Sequence, residues 1–475
     1  MSRKVFVGPA LRRLREGTRL TQTAFAQRLG LSVSYLNQIE NNQRPVTASV
    51  LVALGQTFGV DLATFAVDDT DRLVTDLREA AADPLLAENA PGLQDLKRVA
   101  SDSPAFARAF LRLHQTARRL RERLQAAGDA PLPPPSGEEG EAALLPYEEV
   151  RDYFHYVDNY VDDLDRAAED LAERLGLAAA SDRLQVLSGY LASRHGITVD
   201  ANANLGDDLM ERYEAGPKLV VLDGSLDPAT RAFLLANRIA RLEQPDTLAT
   251  LAEGGRFRSR AAGDIARVAL ANYFAGALML PYRRFLAAAK ETRHDIDLLG
   301  RIFGASLEQV CHRLSTLQRP GQKGIPFYFL KVDRAGNVIK RHSATRFQFA
   351  RFGGACPLWN VHEAFEQTGR TFVQVAEMPD GIRYLSLARA VTRSAAHWRA
   401  PVRRYAFGLG CELSYAGDII YSDGVDLKAE ANVAKIGVSC RICERTACHQ
   451  RAVPPVDREI RVPSDSRKVV PFDLN

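Results

Sequence analysis

The chain has 475 residues, 46% hydrophobic, 25% charged and 8% aromatic, with a formal net charge of +4. Those proportions suit a globular chain of about three domains and exclude a collagen-like or wholly disordered one. The longest weakly charged apolar stretch, residues 268–282, carries Asn272 and is shorter than the roughly 20 residues of a membrane-spanning helix, so it reads as a buried helix. Arg3 and Lys4 lead into no apolar run, so the expectation is a cytoplasmic protein with no secretory signal and no membrane attachment. In that reducing setting the six cysteines are not expected to pair as disulfides.

The charge is unevenly placed. Residues 1–66 carry eight basic side chains, Arg3, Lys4, Arg12, Arg13, Arg15, Arg19, Arg28 and Arg44, against Glu16, Glu40 and Asp61. That local +5 accounts for the whole excess of the chain, and a basic head of this kind suits nucleic acid. Thr21, Ser32 and Thr47 are expected helix N-caps. Each is bracketed by an apolar pair placed to close a hydrophobic staple: Leu20 with Phe25, Leu31 with Leu36, Val46 with Leu51. Gly30 falls where a tight turn between two helices needs positive φ. In the second helix Leu36 and Ile39 should face inward, leaving Val33, Ser34, Asn37, Gln38 and Asn41 outward. An outward face that is polar but nearly uncharged suits base edges, and surrounding cations such as Arg44 suit phosphates. Residues 11–60 resemble the Cro-like, xenobiotic-response-element class of helix-turn-helix domains. The resemblance implies that Gln22 clamps a phosphate and that Ser32, Val33, Ser34, Asn37 and Gln38 lie on the recognition helix against a double-stranded DNA operator.

Further along, Phe106, Phe110, Leu113, Ala117, Leu120 and Leu124 recur at alternating steps of 4 and 3, and so do Val157, Val161, Leu164, Ala168, Leu171 and Leu175. Two such seams suit either a helical bundle or a dimer interface. Between them, residues 128–146 are proline-rich and acidic with no apolar period, which predicts a flexible linker. Residues 218–224 read as a buried strand and turn, residues 227–242 as a helix, and residues 326–340 and 371–387 as hairpins around Gly-containing turns.

Residues 233–243 and 271–281 resemble the zinc metallopeptidase-like domain that accompanies Cro-type heads in radiation-response and antirepressor proteins. Such enzymes carry H-E-x-x-H on one helix, two histidines one turn apart binding Zn with a glutamate as base. Here those positions hold Asn237, Arg238 and Arg241, and Val268 and Leu270 stand where an acidic third ligand belongs. A guanidinium stays protonated and offers no lone pair, so no peptidase activity and no catalytic residue are expected.

Cys440, Cys443 and Cys448 place three thiols within nine residues, among Arg441, Arg445 and Arg451. Cationic neighbours favour the thiolate, the ligating form, and one loop can present three sulfurs to one metal. For a fourth ligand Cys356, in a glycine-rich loop, is the first choice, Cys411 the second and His449 the third. Cys311, on a helical stretch, is expected to be a buried apolar thiol. Four thiolates suit Zn and an iron-sulfur cluster equally.

Taken together, the Cro-type head, the disabled peptidase-like middle and the cysteine-bearing tail at 353–365, 405–424 and 439–455 resemble the short-chain fatty acyl-responsive transcriptional regulators. The resemblance implies a regulator of propionate and acetate metabolism that forms a homodimer or homotetramer, takes CoA or a short-chain acyl-CoA as effector, and holds a [4Fe-4S] cluster on the tail cysteines. Lys323, Arg346 and Arg351, set among alternating aromatics, are candidate contacts to such an effector, which carries phosphates at one end and an apolar thioester at the other. Rival readings are a zinc-stabilised DNA-binding regulator without an effector and a metallopeptidase-type antirepressor. The expected architecture is multidomain: an all-α helix-turn-helix domain (1–68), a helical connector or oligomerisation segment (69–127), the linker (128–146), a degenerate peptidase-like domain (147–310) and an α+β sensor domain with a cysteine-ligated metal centre (311–475).

Overall fold

The computed structural model describes residues 11–12, 14–15, 18, 20–40, 44, 50, 53–54, 57–58, 69–81, 83, 86, 91–127, 146–177, 180–206, 209–257, 259–345, 347, 349, 355–393, 402–455 and 458–474, with the side chains of 69–72, 115–116 and 118–127 excepted. The chain divides into two compact units, residues 1–114 and 115–475.

In the first unit, α1 (Gln22–Arg28) and α2 (Val33–Glu40) are joined by a turn in which Gly30 has a φ of +66°. The expected caps form: Thr21 accepts from the Ala24 amide and Ser32 from the Tyr35 amide. Phe25, Leu36 and Ile39 are fully buried in a small core that both helices share with Leu11 and Leu54. Thr47, Val46 and Leu51 lie outside the described residues. A second core joins α3 (Asp69–Ala81), α4 (Leu93–Asp102) and α5 (Pro104–Ala127). Here the expected apolar seam is not the buried one. Helix α5 buries Ala107 and Leu111, while Phe106 and Leu113 are 66% and 69% exposed.

The division falls within α5, and the first helix wholly inside the second unit is α6 (Pro146–Tyr156). Of the expected linker, residues 128–145 lie outside the described residues. The seam from Val157 to Leu175 is broken, because Asp158 and Asn159 take positive φ and turn the chain before α7 (Asp162–Arg174). Leu164, Ala168 and Leu171 of α7 then pack into the body's own core. After α8 (Arg183–His195) comes a three-stranded sheet of β1 (Thr198–Ala203), β2 (Glu211–Glu214) and β3 (Leu219–Asp223), in the order β1-β3-β2. Six helices follow: α9 (Pro228–Glu243), α10 (Pro245–Gly254), α11 (Arg260–Met279), α12 (Tyr282–Glu291), α13 (Ile296–Phe303) and α14 (Leu307–Leu314). Asp227 caps α9 and Pro228 occupies its first turn, as the local code requires. Helix α11 is buried over most of its length, and no described helix is long and apolar enough to cross a membrane.

A six-stranded sheet completes the body. It contains β4 (Tyr328–Val332), β5 (Val338–Ser343), β6 (Phe372–Glu377), β7 (Arg383–Arg393), β8 (Arg403–Glu412) and β9 (Val433–Lys435), in the order β5-β4-β8-β7-β6-β9. Both expected hairpins are present as the antiparallel pairs β4 with β5 and β6 with β7. One sheet face joins the helical core and the other covers a separate aromatic core built on Tyr328, Phe347, Trp359 and Tyr384. The boundary expected at 310/311 falls inside α14. Arg313 and Arg319, on either side of that helix end, both bond the fully buried Asp165 of α7, at 2.6 and 3.0 Å. Tyr273 donates to the same carboxylate, and Glu169 accepts from Arg319 at 2.9 Å. A buried ion network of this kind requires all its partners at once, so it ties α7, α11 and α14 to the segment after α14, while a core that the helices share with Phe329, Leu387 and Leu409 joins them to the sheet.

Candidate DNA-reading face, thiol pocket and cationic cleft

On α2, Ser32, Val33, Ser34 and Asn37 are exposed and Gln38 is half-buried, the outward face that the spacing predicts. Asn41 lies outside the described residues. Arg44 is exposed, its guanidinium 5.7 Å from the Tyr35 ring centre. Gln22 at the start of α1 is not turned to solvent alone: its amide donates to Asn37 and to Glu40 at 3.3 and 3.0 Å. The residue that sequence reasoning missed is Glu40. Its side chain is fully buried and is gripped by Arg15 at 2.7 and 3.2 Å. The one available signal was an acidic residue at the inward end of a helix rich in uncharged polar groups. The grip ties the segment before α1, and α1 itself through Gln22, to the C-terminal end of α2, which holds the outward face in a fixed attitude.

In the peptidase-like region, α9 presents a hydrogen-bonded lattice at the positions of the missing motif. Asn237 donates to Asn272 of α11 at 2.9 Å and accepts from Arg241 at 2.8 Å. Arg238 is held by Glu211 of β2 at 2.6 Å and stacks on Tyr213. Val268 is 44% exposed and Leu270 is buried, so Asn272 is the α11 residue that faces α9. These side chains satisfy one another and leave no imidazole or carboxylate pair to bind Zn.

The structure brings Cys356, Cys440, Cys443 and Cys448 to the wall of one small pocket, beside Arg445 and Arg451. Both arginines are occupied in shaping it: Arg445 donates to the carbonyls of Ile436 and Glu377, and Arg451 to those of Cys440 and Arg445. Gly437 is required here, because a Cβ on it would lie 2.7 Å from the Cys443 sulfur. Burial pushes the Cys356 thiol up, and hydrogen bonds from the Gly437 and Leu358 amides oppose that push. Four thiols, amides aimed at sulfur and two fixed guanidinium groups fit a four-thiolate metal group. The sulfurs do not yet close on a common centre, since no three His, Cys, Asp or Glu side chains among the described residues form a ready metal site. Cys411 is elsewhere. On β8, Gly408 and Gly410 face the aromatic core, where a Cβ would strike Leu330 and Tyr328, so Leu409 and Cys411 face the helical core. Sheet alternation thus puts Cys411 on the face opposite Cys356. His449 is exposed and does not line the pocket. Cys311 is buried, and burial raises its thiol to about 12.

Lys323 lines a separate open cleft of about 470 Å³ with Lys290, Arg293, His294, Tyr415 and Asp418. Arg293 and His294 are consecutive residues with φ of +49° and +62°, a strained backbone held in place by the loop after β8. Arg293 makes two 2.8 Å bonds to Asp423, and the His294 ring contacts the Asp418 carbonyl at 3.1 Å. Burial holds the His294 imidazole below its ordinary value. Arg346 and Arg351 lie outside the described residues.

A helix-turn-helix head with a polar outward face, in one chain with a body that carries a thiol pocket and a cationic cleft, defines a helix-turn-helix transcriptional regulator. Residues 7–66 match a helix-turn-helix domain, residues 192–315 the IrrE N-terminal-like domain of the M78 peptidases, and residues 316–472 the C-terminal domain of the short-chain fatty acyl coenzyme A regulators. The chain is 50% identical to the propionyl-CoA carboxylase regulator of Cereibacter sphaeroides, over 100% of both chains. It is 41% identical to two HTH-type transcriptional regulators of Mycobacterium tuberculosis, RamB and PrpR, over 99% of this chain and 98% and 96% of theirs. A solved Mycobacterium tuberculosis transcriptional regulator, 44% identical, superposes with a TM-score of 0.67 over 69% of this chain and 99% of its own. The chain belongs to the short-chain fatty acyl coenzyme A regulator family.

Proposed function

We propose that this protein controls transcription of short-chain acyl-CoA metabolism, propionyl-CoA conversion foremost. In this reading paired helix-turn-helix heads of a homo-oligomer bind an inverted operator, and CoA or a short-chain acyl-CoA acts as effector. The observation that carries the reading is the joining, in one chain, of the outward polar face of α2 to a body of the acyl-CoA regulator type with a cation-lined cleft. The relative named for propionyl-CoA carboxylase supports the choice of pathway.

In the body, Lys290 and Lys323 supply positive charge for the phosphates of an effector, beside Arg293, which Asp423 holds, and Asp418, in a cleft whose volume suits a drug-sized ligand. The walls come from the end of α12 and from the loop after β8, so an occupant touches both halves of the body. To act as a switch it must bind one arrangement of the protein better than another.

In the thiol pocket Cys356, Cys440, Cys443 and Cys448 would hold a [4Fe-4S] cluster. Such a cluster supplies sensitivity to oxygen and to iron supply. The protein's part is to orient four sulfurs, donate amide hydrogen bonds to Cys356 and place two guanidinium groups beside the thiolates. Anaerobic purification tests this assignment: iron, acid-labile sulfide and broad visible absorbance support it, whereas a colourless protein with one Zn per chain replaces it with a zinc-stabilised regulator.

A further inference from the structure

Strands β4 and β5 set two lysines directly opposite each other. Their register pairs Lys331 with Lys340, and like charges so placed repel. Glu308, in the first turn of α14, is the one carboxylate that either ammonium meets among the described residues, at 2.9 Å from Lys331 and 3.9 Å from Lys340. The pair shares it unequally. Lys331 takes the shorter contact, lies 4.3 Å from the centre of the Tyr405 ring and is only 12% exposed, so its positive charge is well held. Lys340 is left with the longer contact, the buried Phe329 ring 5.8 Å away and the Lys331 charge in front of it. Arg151 of α6 adds a further cation beside β5, where it donates to the carbonyls of Val338 and Ile339. Burial first, with the Lys331 charge adding to it and Glu308 opposing, holds Lys340 below the ordinary lysine value. Its side chain is nevertheless 36% exposed, on an edge strand of the sheet, so reagents in solution reach it.

We propose that Lys340 is a nucleophilic lysine that takes an acyl group from a short-chain acyl thioester. A lysine set beside a second cation and apolar rings carries more of the free amine, which is the nucleophile. The Nζ lone pair attacks the thioester carbonyl carbon, and the new C–N bond forms as the C–S bond breaks. The amine proton passes to the departing thiolate, which leaves an amide on Lys340 and a free thiol. The amide is uncharged, so the cross-strand repulsion ends and Glu308 is left to Lys331. Residue choice points the same way. Of the 62 basic side chains only ten are lysines, yet two of those ten face each other here, where an arginine would stay charged and could not act as a nucleophile. Only the source of the thioester, an acyl-CoA, rests on the proposed function.

The test incubates the full chain at neutral pH with the propionyl thioester of N-acetylcysteamine, which lacks the nucleotide and phosphates of CoA, and follows propionyl occupancy at each lysine by peptide mass spectrometry. Lys340 is expected to acquire the group at least about tenfold faster than the exposed Lys97 and Lys428. Chain unfolded in urea is expected to lose that preference. Lys331→Met, which removes the opposed cation and frees Glu308 for Lys340, is expected to slow labelling of Lys340, and Glu308→Gln to speed it, with circular dichroism to verify the fold of each. Equal labelling of Lys340, Lys97 and Lys428 in the folded chain overturns the proposal. So does a preference for Lys340 that survives in urea or that both variants leave unchanged. Because the probe carries none of the groups by which the cleft would hold an effector, any of these failures leaves the effector reading standing, and operator affinity with propionyl-CoA tests that reading separately.

Discussion

Glu40 holds the outward face of α2 in place from the inside, by accepting from Arg15 and Gln22. Glutamine at this position keeps one acceptor oxygen but loses the charge that pairs with Arg15 and turns an NH2 group toward the remaining Arg15 or Gln22 donors, and breaking a buried pair costs about 3–5 kcal/mol. Glu40→Gln is therefore expected to lower hydrogen-exchange protection across α1 and α2 and to reduce operator affinity uniformly, whereas Asn37→Ala is expected to leave protection unchanged and to relax base preference by about 1–3 kcal/mol. Sequence reading reached Asn37 because outward residues follow from a period. Glu40 escaped it because burial of a charge depends on where Arg15 arrives from another segment. The cysteines show the same division. Three neighbouring thiols in a basic loop were legible, but the choice between Cys356 and Cys411 depends on which face of β8 each borders. Accordingly Cys356→Ser is expected to abolish metal content measured after anaerobic purification, and Cys411→Ser to leave it unchanged. Metal loss in Cys411→Ser alone contradicts the assignment.

The caps and hairpins were written locally and formed as written, because Thr21, Ser32, Asp227 and the Gly-containing turns act on their own neighbours. Packing partners were not. Helix α5 turned Phe106 and Leu113 outward because Ala107 and Leu111 fit the close approach to α3 and α4. The seam into α7 broke at Asp158 and Asn159 because Asn159 is needed inward, where it bonds the Ser343 carbonyl and His342. That contact opens a pH prediction for the joint between α14 and β5. The rings of His312 and His342 lie 4.6 Å apart, faced by Lys340 on β5, Arg151 on α6 and Arg313 on α14. Burial first, and then these cations, hold both imidazoles below the ordinary value, His342 at about 3. The folded values are lowered, so stability is fully present above about pH 6.5 and is lost as pH falls toward 3. Each histidine adds up to about 1.4 kcal/mol per pH unit to that slope. Denaturation of His342→Gln at several pH values is expected to show the slope reduced by about that amount, and an unchanged slope contradicts the reading. Arg313→Met, which leaves Asp165 with one cation fewer, is expected to destabilise the body by about 3 kcal/mol.

Across the second unit, the peptidase-like region and the C-terminal region share one hydrophobic core, Asp165 of α7 holds Arg313 and Arg319 at their junction, and the loop after β8 reaches back to Arg293 and His294. A lattice of Asn237, Arg238, Arg241 and Asn272 stands where a zinc site belongs in the enzymes. The helical part supplies one wall of the cationic cleft through Lys290, Arg293 and His294. Composition and motif spacing gave the order of these regions, but their union rests on a shared core and on ion pairs between residues more than a hundred positions apart, which no local pattern reveals. The claim that the chain is an acyl-CoA-gated regulator is tested most directly by operator affinity, using full-length protein purified without oxygen and a duplex selected from a random pool. Saturating propionyl-CoA is expected to change that affinity by at least about fivefold, the lower range of allosteric coupling, while free propionate leaves it unchanged. Equal affinity with and without propionyl-CoA contradicts the claim.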